Sequence, residues 1–215
     1  MNNEQLFANR EQAGMGLIAP LRSLKLHDPL LLALPRGGAV VAKPIADALG
    51  CTMDLLLCKK IGHPENPELA IGSVCADGTR IQTHAAFPGE SEFDRQADRL
   101  QEWLRSRYQL LAGRTQPRSY KDRTVVITDD GLATGSTMLA AIRSLRFGGA
   151  HRIIVAVPVA STEAAARVKD SADAFICTLT PEVFDAVGQF YRSFPEVTDQ
   201  EVRELMPAEA TAPES

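Results

Sequence analysis

Residues 124–147 read TVVITDDGLATGSTMLAAIRSLRF. A short run of apolar and β-branched residues leads into two adjacent acids, and a turn of small residues then precedes a run with helical spacing. The first part reads as a buried strand, and the last as a helix from about Ser136 to Phe147 that Gly148 and Gly149 end. The order is strand, acids, small-residue turn, helix. It decides the fold because strand-to-helix units like it stand on either side.

Upstream, LLLAL (30–34) runs into PRGG, the helical stretch AVVAKPIADALG follows with Gly50 as its cap, and MDLLLC (53–58) reads as the next buried strand. Downstream, RIIVAVPV, TEAAARVKD and AFICTL complete a strand, helix, strand alternation. Continuous apolar strands separated by helices predict a parallel sheet covered on both faces. The expected class is α/β, with a Rossmann-like, mostly parallel central sheet and helices on both faces.

The remaining segments attach to that frame. Residues 4–26 form a leading helix, weakened by Gly14, Gly16 and Pro20. KKIGHPENPE (59–68) reads as a loop, and LAIGSVCADGTRIQ (69–82) as a hairpin turning at Asp77-Gly78. Residues 91–112 give the clearest helix: Ser91 and Asp94 fit a capping box, and Phe93, Ala97, Leu100, Leu104 and Leu111 share a face. One domain is expected over 1–206, with a flap or insertion at about 62–122 and a small C-terminal hood at about 180–206. Residues 207–215 lack apolar mass and read as a disordered tail.

With 215 residues, 45% hydrophobic, the chain can bury a core of that size, and a net charge of -4 argues against nucleic acid as the main partner. No run approaches the roughly 18 apolar residues of a membrane helix, and the start lacks a basic, apolar leader, so a soluble cytoplasmic protein is expected. The 4 cysteines include no CxxC pair, which predicts reduced thiols and neither a zinc site nor a disulfide scaffold.

Ligands of open parallel sheets collect beyond the carboxyl ends of the strands, where Asp129 and Asp130 stand. Ala133, Thr134, Gly135, Ser136 and Thr137 then occupy a helix N-terminus, whose unpaired N–H groups and dipole attract an anion. Carboxylates accept from hydroxyls or meet a metal, and they repel phosphate. The order therefore asks for a diol at one end and a phosphate at the other, the layout of ribose 5-phosphate. Alone, DD could form a turn and TGST a cap; joined behind an apolar strand, they read as a ligand site. No lysine follows Gly135 as a P-loop requires, and no GxGxxG follows any strand.

TVVITDDGLATGST resembles the phosphoribosyl pyrophosphate (PRPP) loop of the type I phosphoribosyltransferases. The resemblance implies Asp129 and Asp130 on the ribose 2′ and 3′ hydroxyls, and Ala133 to Thr137 around the 5-phosphate. LPRGG resembles the family's pyrophosphate loop, with Arg36 and Gly37 facing the leaving group and a non-proline cis bond often present. Lys59 and Lys60 leave the second strand where relatives place a cation, and Lys60 is the expected one; solvated surface lysine is the rival reading. Over nearly its whole length the chain is similar to a bacterial subgroup whose acceptor is unassigned.

What the resemblance implies is transfer of the phosphoribosyl group from PRPP to a nitrogenous base or amine, with pyrophosphate released. Mg²⁺ would bridge pyrophosphate and ribose, touching Asp129 and Asp130 mostly through water. A flap from about His63 to Pro88 would exclude water, and homodimers are common among relatives. Ala133 stands where purine-salvage relatives carry an Asp, which puts a purine acceptor in doubt. Phe184, Phe190 and Tyr191 are candidates either for stacking on a base or for packing. Two other readings stay open: a non-catalytic sensor of PRPP or a nucleotide, and a hydrolase.

Overall fold

The computed structural model describes residues 7–63, 66–82 and 90–207. Helix α1 (Arg10–Ser23) leads, then β1 (Leu30–Ala33), α2 (Gly37–Leu49) and β2 (Thr52–Leu55). Strands β3 (Cys58–His63), β4 (Asn66–Cys75) and β5 (Arg80–Gln82) follow, with α3 (Glu90–Ala112) behind them. The second half runs β6 (Thr124–Thr128), α4 (Ser136–Phe147), β7 (Arg152–Val159), α5 (Thr162–Lys169), β8 (Ala174–Leu179), a short 3-10 turn and α6 (Asp199–Leu205).

The central sheet has five strands in the order β2-β1-β6-β7-β8, all parallel. Side chains alternate along each strand, so Leu31, Ala33, Val126 and Ile154 pack with α1 and α2, while Leu30, Leu32, Val125 and Ile153 pack with α4 and α5. Both faces are covered, which is why the strands read as largely apolar runs, with Asp54 of β2 an exception. This is the expected α/β class.

A second, antiparallel sheet has the order β3-β4-β5. The hairpin at Asp77-Gly78 is present: the Thr79 N–H donates to Asp77 Oδ1 at 2.8 Å. The loop expected at 59–68 is instead mostly strand, because Lys59 and Lys60 pair with Val74 and Ser73 of β4. Phe93, Ala97, Leu104 and Leu111 of α3 are buried as their spacing predicts, and Tyr108 joins them. Ser91, expected at the cap, lies inside α3, whose start adjoins residues outside the description. The flap candidate is described only in part, since 64–65 and 83–89 lie outside the described residues, as does the tail from 208.

The expectation of four reduced thiols needs correction. The β3–β4 register sets Cys58 opposite Cys75, and the two form a disulfide with Cα atoms 4.1 Å apart. Cys51 and Cys177 are free, and burial pushes both thiols up. Among the described residues no helix is long and apolar enough to cross a membrane.

Candidate functional site

Strands β1 and β6 are neighbours, yet the chain leaves β1 for β2 on one side and β6 for β7 on the other. A crevice opens where the winding reverses, beyond the carboxyl ends of those two strands. LPRGG leaves β1 there and DDGLATGST leaves β6. The Leu34 N–H donates to the Thr128 carbonyl at 2.9 Å, so the two loops start tied together. The peptide bond between Pro35 and Arg36 is cis, as the family resemblance implied.

The loops touch at the glycines. A methyl group on Gly37 would lie 1.9 Å from Asp130 Oδ2, and one on Gly38 would lie 2.9 Å from the Thr128 carbonyl oxygen. Any side chain at Gly37 would displace the acid, so the glycine is a condition of the approach.

Each acid is held differently. Asp130 Oδ2 accepts from Arg10 Nε at 2.8 Å, and its backbone carbonyl accepts from the Tyr191 hydroxyl at 2.6 Å. Arg10 also donates through Nη1 to the Pro195 carbonyl at 2.7 Å, and its guanidinium lies 3.6 Å over the Phe194 ring. Among the described residues, Asp129 Oδ1 accepts from the neighbouring Asp130 N–H alone, at 2.8 Å. Burial raises the Asp129 carboxyl well above the usual carboxylate range, and the charge on Asp130 adds to the shift.

Across the crevice, Gly135 precedes α4 at φ 69°, a left-handed conformation that glycine adopts without penalty. Gly135 brings no capping side chain, the Ser136 N–H donates instead to the Thr134 hydroxyl oxygen at 3.3 Å, and Ala133, Thr134, Ser136 and Thr137 are exposed. The Thr134 and Ser136 hydroxyls lie 2.8 Å apart, and the Ser161 hydroxyl donates to the Ala133 carbonyl at 2.7 Å. The result is an open turn of small residues with hydroxyls at the positive end of a helix.

A cavity of about 650 Å³ adjoins this turn, and Arg36, Lys59 and Thr137, all singled out from sequence, line it together. Trp103 and Arg107 of α3 complete its polar wall, and Lys59 Nζ lies 4.1 Å from the Trp103 ring centroid. Arg107 forks onto Asp199 of α6, while Arg36 reaches Glu196 and, at 3.7 Å, Asp199. Lys60 follows Lys59 on β3, where alternation turns it to the other face, and it is not among the residues lining that cavity. Among the described residues no group of three or more His, Cys, Asp or Glu could hold a metal.

The hood aromatics are packed. Phe190 and Tyr191 are buried, with Phe184 5.1 Å from Phe190, and Tyr191 5.3 Å from Phe7 and 4.9 Å from Phe194. Sequence reasoning missed Arg10, Trp103 and Arg107. A basic residue opening α1 opposes the helix dipole, and the single tryptophan stands off the apolar face of α3; both were signals of a tertiary role.

Residues 2–194 match the family described as Phosphoribosyl transferase domain. Over 205 residues the chain is 37% identical to "Putative phosphoribosyl transferase Rv0571c" of Mycobacterium tuberculosis (strain ATCC 25618 / H37Rv), and as similar to the counterpart MT0597 of strain CDC 1551 / Oshkosh. That alignment takes in 92% of this chain but 46% of the relative, so the chain spans about half the length of the curated relatives it matches. The crystal structure of TT1426 from Thermus thermophilus superposes with a TM-score of 0.84 at 39% identity, over 94% of this chain and 97% of that one. The acids, the small-residue turn and the glycine loop thus sit in a fold shared with close relatives, and the chain belongs to the phosphoribosyl transferase domain family.

Proposed function

We propose that this chain transfers the 5-phosphoribosyl group of PRPP to a nitrogenous acceptor, with Mg²⁺ required and pyrophosphate released. Membership of the family supports use of PRPP. The observation that carries the reading further is the contact of Gly37 with Asp130, which brings the glycine loop and the acid pair to one crevice.

In this reading Asp129 and Asp130 accept hydrogen bonds from the ribose hydroxyls, and the turn from Ala133 to Thr137 takes the 5-phosphate. The Arg36–Gly37 backbone, Arg36 and Lys59 face the pyrophosphate, with Lys60 as a second cation on the same strand. The bond from C1 to the pyrophosphate oxygen breaks as the acceptor nitrogen supplies the electron pair of the new C1–N bond, and the acceptor then loses a proton. Charge develops on the sugar ring and the leaving group, so the protein's part is placement and electrostatic stabilisation. The two carboxylates do not make a metal cage, but they suit an ion that arrives on the diphosphate and keeps most of its waters; Mg²⁺ would supply charge neutralisation there.

The packing of Phe190 and Tyr191 favours a second reading, a PRPP or nucleotide sensor without turnover, because neither ring is free to stack on a base. Incubation with PRPP, Mg²⁺ and a panel of bases and amines, following pyrophosphate release, separates the cases. Release that depends on one acceptor supports transfer. Saturable PRPP binding without release supports a sensor, release without any acceptor supports hydrolysis, and no PRPP binding overturns the reading.

A further inference from the structure

We propose that Arg10 is a positioning residue for Asp130: it anchors carboxylate Oδ2 and leaves Oδ1 to accept a hydroxyl of the bound sugar. The inference rests on the functional reading above.

Arg10 is 7% exposed, and a guanidinium so buried needs a partner for its charge. Its one ion-pair partner among the described residues is Asp130, an acid of the sequence motif 120 residues away. Opening α1 with a cation works against that helix's own dipole, and the tertiary contact offsets the local cost.

The remaining contacts of Arg10 fix its angle. Nη1 is tied to the Pro195 carbonyl, and Phe194 covers one face of the guanidinium. The segment before α1 is stitched to the hood, with the Phe7 N–H donating to the Phe190 carbonyl and the Arg192 N–H to the Phe7 carbonyl, both at 2.8 Å. The hood in turn holds the Asp130 main chain through Tyr191. Side chain and backbone of the acid are therefore set by two segments far apart in sequence, 7–10 and 190–195, that meet beside it. Only Oδ2 has a donor among the described residues, so the pair is not saturated.

Calorimetric titration of the full chain with PRPP and Mg²⁺ tests the proposal, using wild type, Arg10→Gln, Arg10→Lys, Asp130→Asn and the double variant Arg10→Gln with Asp130→Asn. Arg10→Gln should weaken PRPP by about tenfold, and Arg10→Lys should recover part of that loss. Added to Asp130→Asn, Arg10→Gln should cost less than about twofold, because its effect runs through that carboxylate. Should Arg10→Gln not fold, as a thermal scan would show, the lysine variant decides: it should bind more weakly than wild type while unfolding cooperatively. Wild-type affinity in the arginine variants, or fully additive losses, would overturn the inference alone. Failure of the wild type to bind PRPP overturns the functional reading, and this inference with it.

Discussion

Asp54 in β2 and Asp130 at the end of β6 both hang from the central sheet and both pair with an arginine, but their surroundings part company. Asp54 is fully buried and accepts from four donors: Arg114 Nη2 at 2.5 Å, the Tyr108 hydroxyl at 2.7 Å, and the Leu55 and Arg118 N–H groups at 2.7 and 2.8 Å. Both oxygens accept inside the protein, Oδ1 from three donors and Oδ2 from one, and the cluster fastens the end of α3 and the chain after it to the sheet. Asp130 keeps one oxygen on Arg10, and Asp129 beside it meets, among the described residues, just a neighbouring amide. A saturated acid holds structure, whereas an acid left short of donors at a crevice is available to a ligand.

The largest effect expected is on stability. Asp54→Asn leaves Arg114 buried without a counter-charge, and the unfolding free energy should drop by about 3–5 kcal/mol in a denaturant titration. A loss below about 1 kcal/mol would erase the contrast between the clusters. Replacing both Asp129 and Asp130 by Asn should weaken PRPP at least about a hundredfold, about 2.7 kcal/mol, with cooperative unfolding retained. Unchanged PRPP affinity there would mean the acids are structural after all.

The hairpin beside Lys59 can be sorted by the same test. Removing the Cys58–Cys75 link, which closes a loop of sequence separation 17, by Cys58→Ser with Cys75→Ser should lower stability by about 2 kcal/mol. If PRPP affinity in that variant stays within about twofold, the link belongs with Asp54 as structure; a larger loss assigns it to the binding region.

The smallest effect concerns pH. Unfolded Asp129 ionises near the ordinary carboxylate value, about 3.9, while folded Asp129 holds its proton to higher pH. Between those values the unfolded chain has released a proton that the folded chain keeps, so this group's contribution is fully present in acid and is lost as pH rises toward the folded value. Thermal midpoints of Asp129→Asn should decline less over that window than those of wild type. Parallel curves would show that Asp129 carries no such burden.

Much of this was legible in the chain itself. The central strands were readable because burial on both faces keeps them largely apolar, Asp54 of β2 apart, and the DD motif with its small-residue turn was readable because its residues are contiguous. β3 was not, since this edge strand of a small antiparallel sheet carries Lys59 and Lys60 exposed on its two faces and gives little apolar signal. Which lysine lines the cavity follows from alternation only once β3 is known to be a strand. The disulfide hung on the β3–β4 register, which a list of cysteine spacings does not contain.

Local pattern, then, determined the α/β class, the strand and helix order and the acid pair with its small-residue turn, because each rests on neighbours within a turn or a strand. Tertiary structure decided the rest: Arg10 on Asp130, Gly37 against that carboxylate, Trp103 over Lys59 and Cys58 on Cys75. Each joins residues from separate elements, and such contacts depend on crossover topology and strand register. Neither leaves a periodic trace in the sequence.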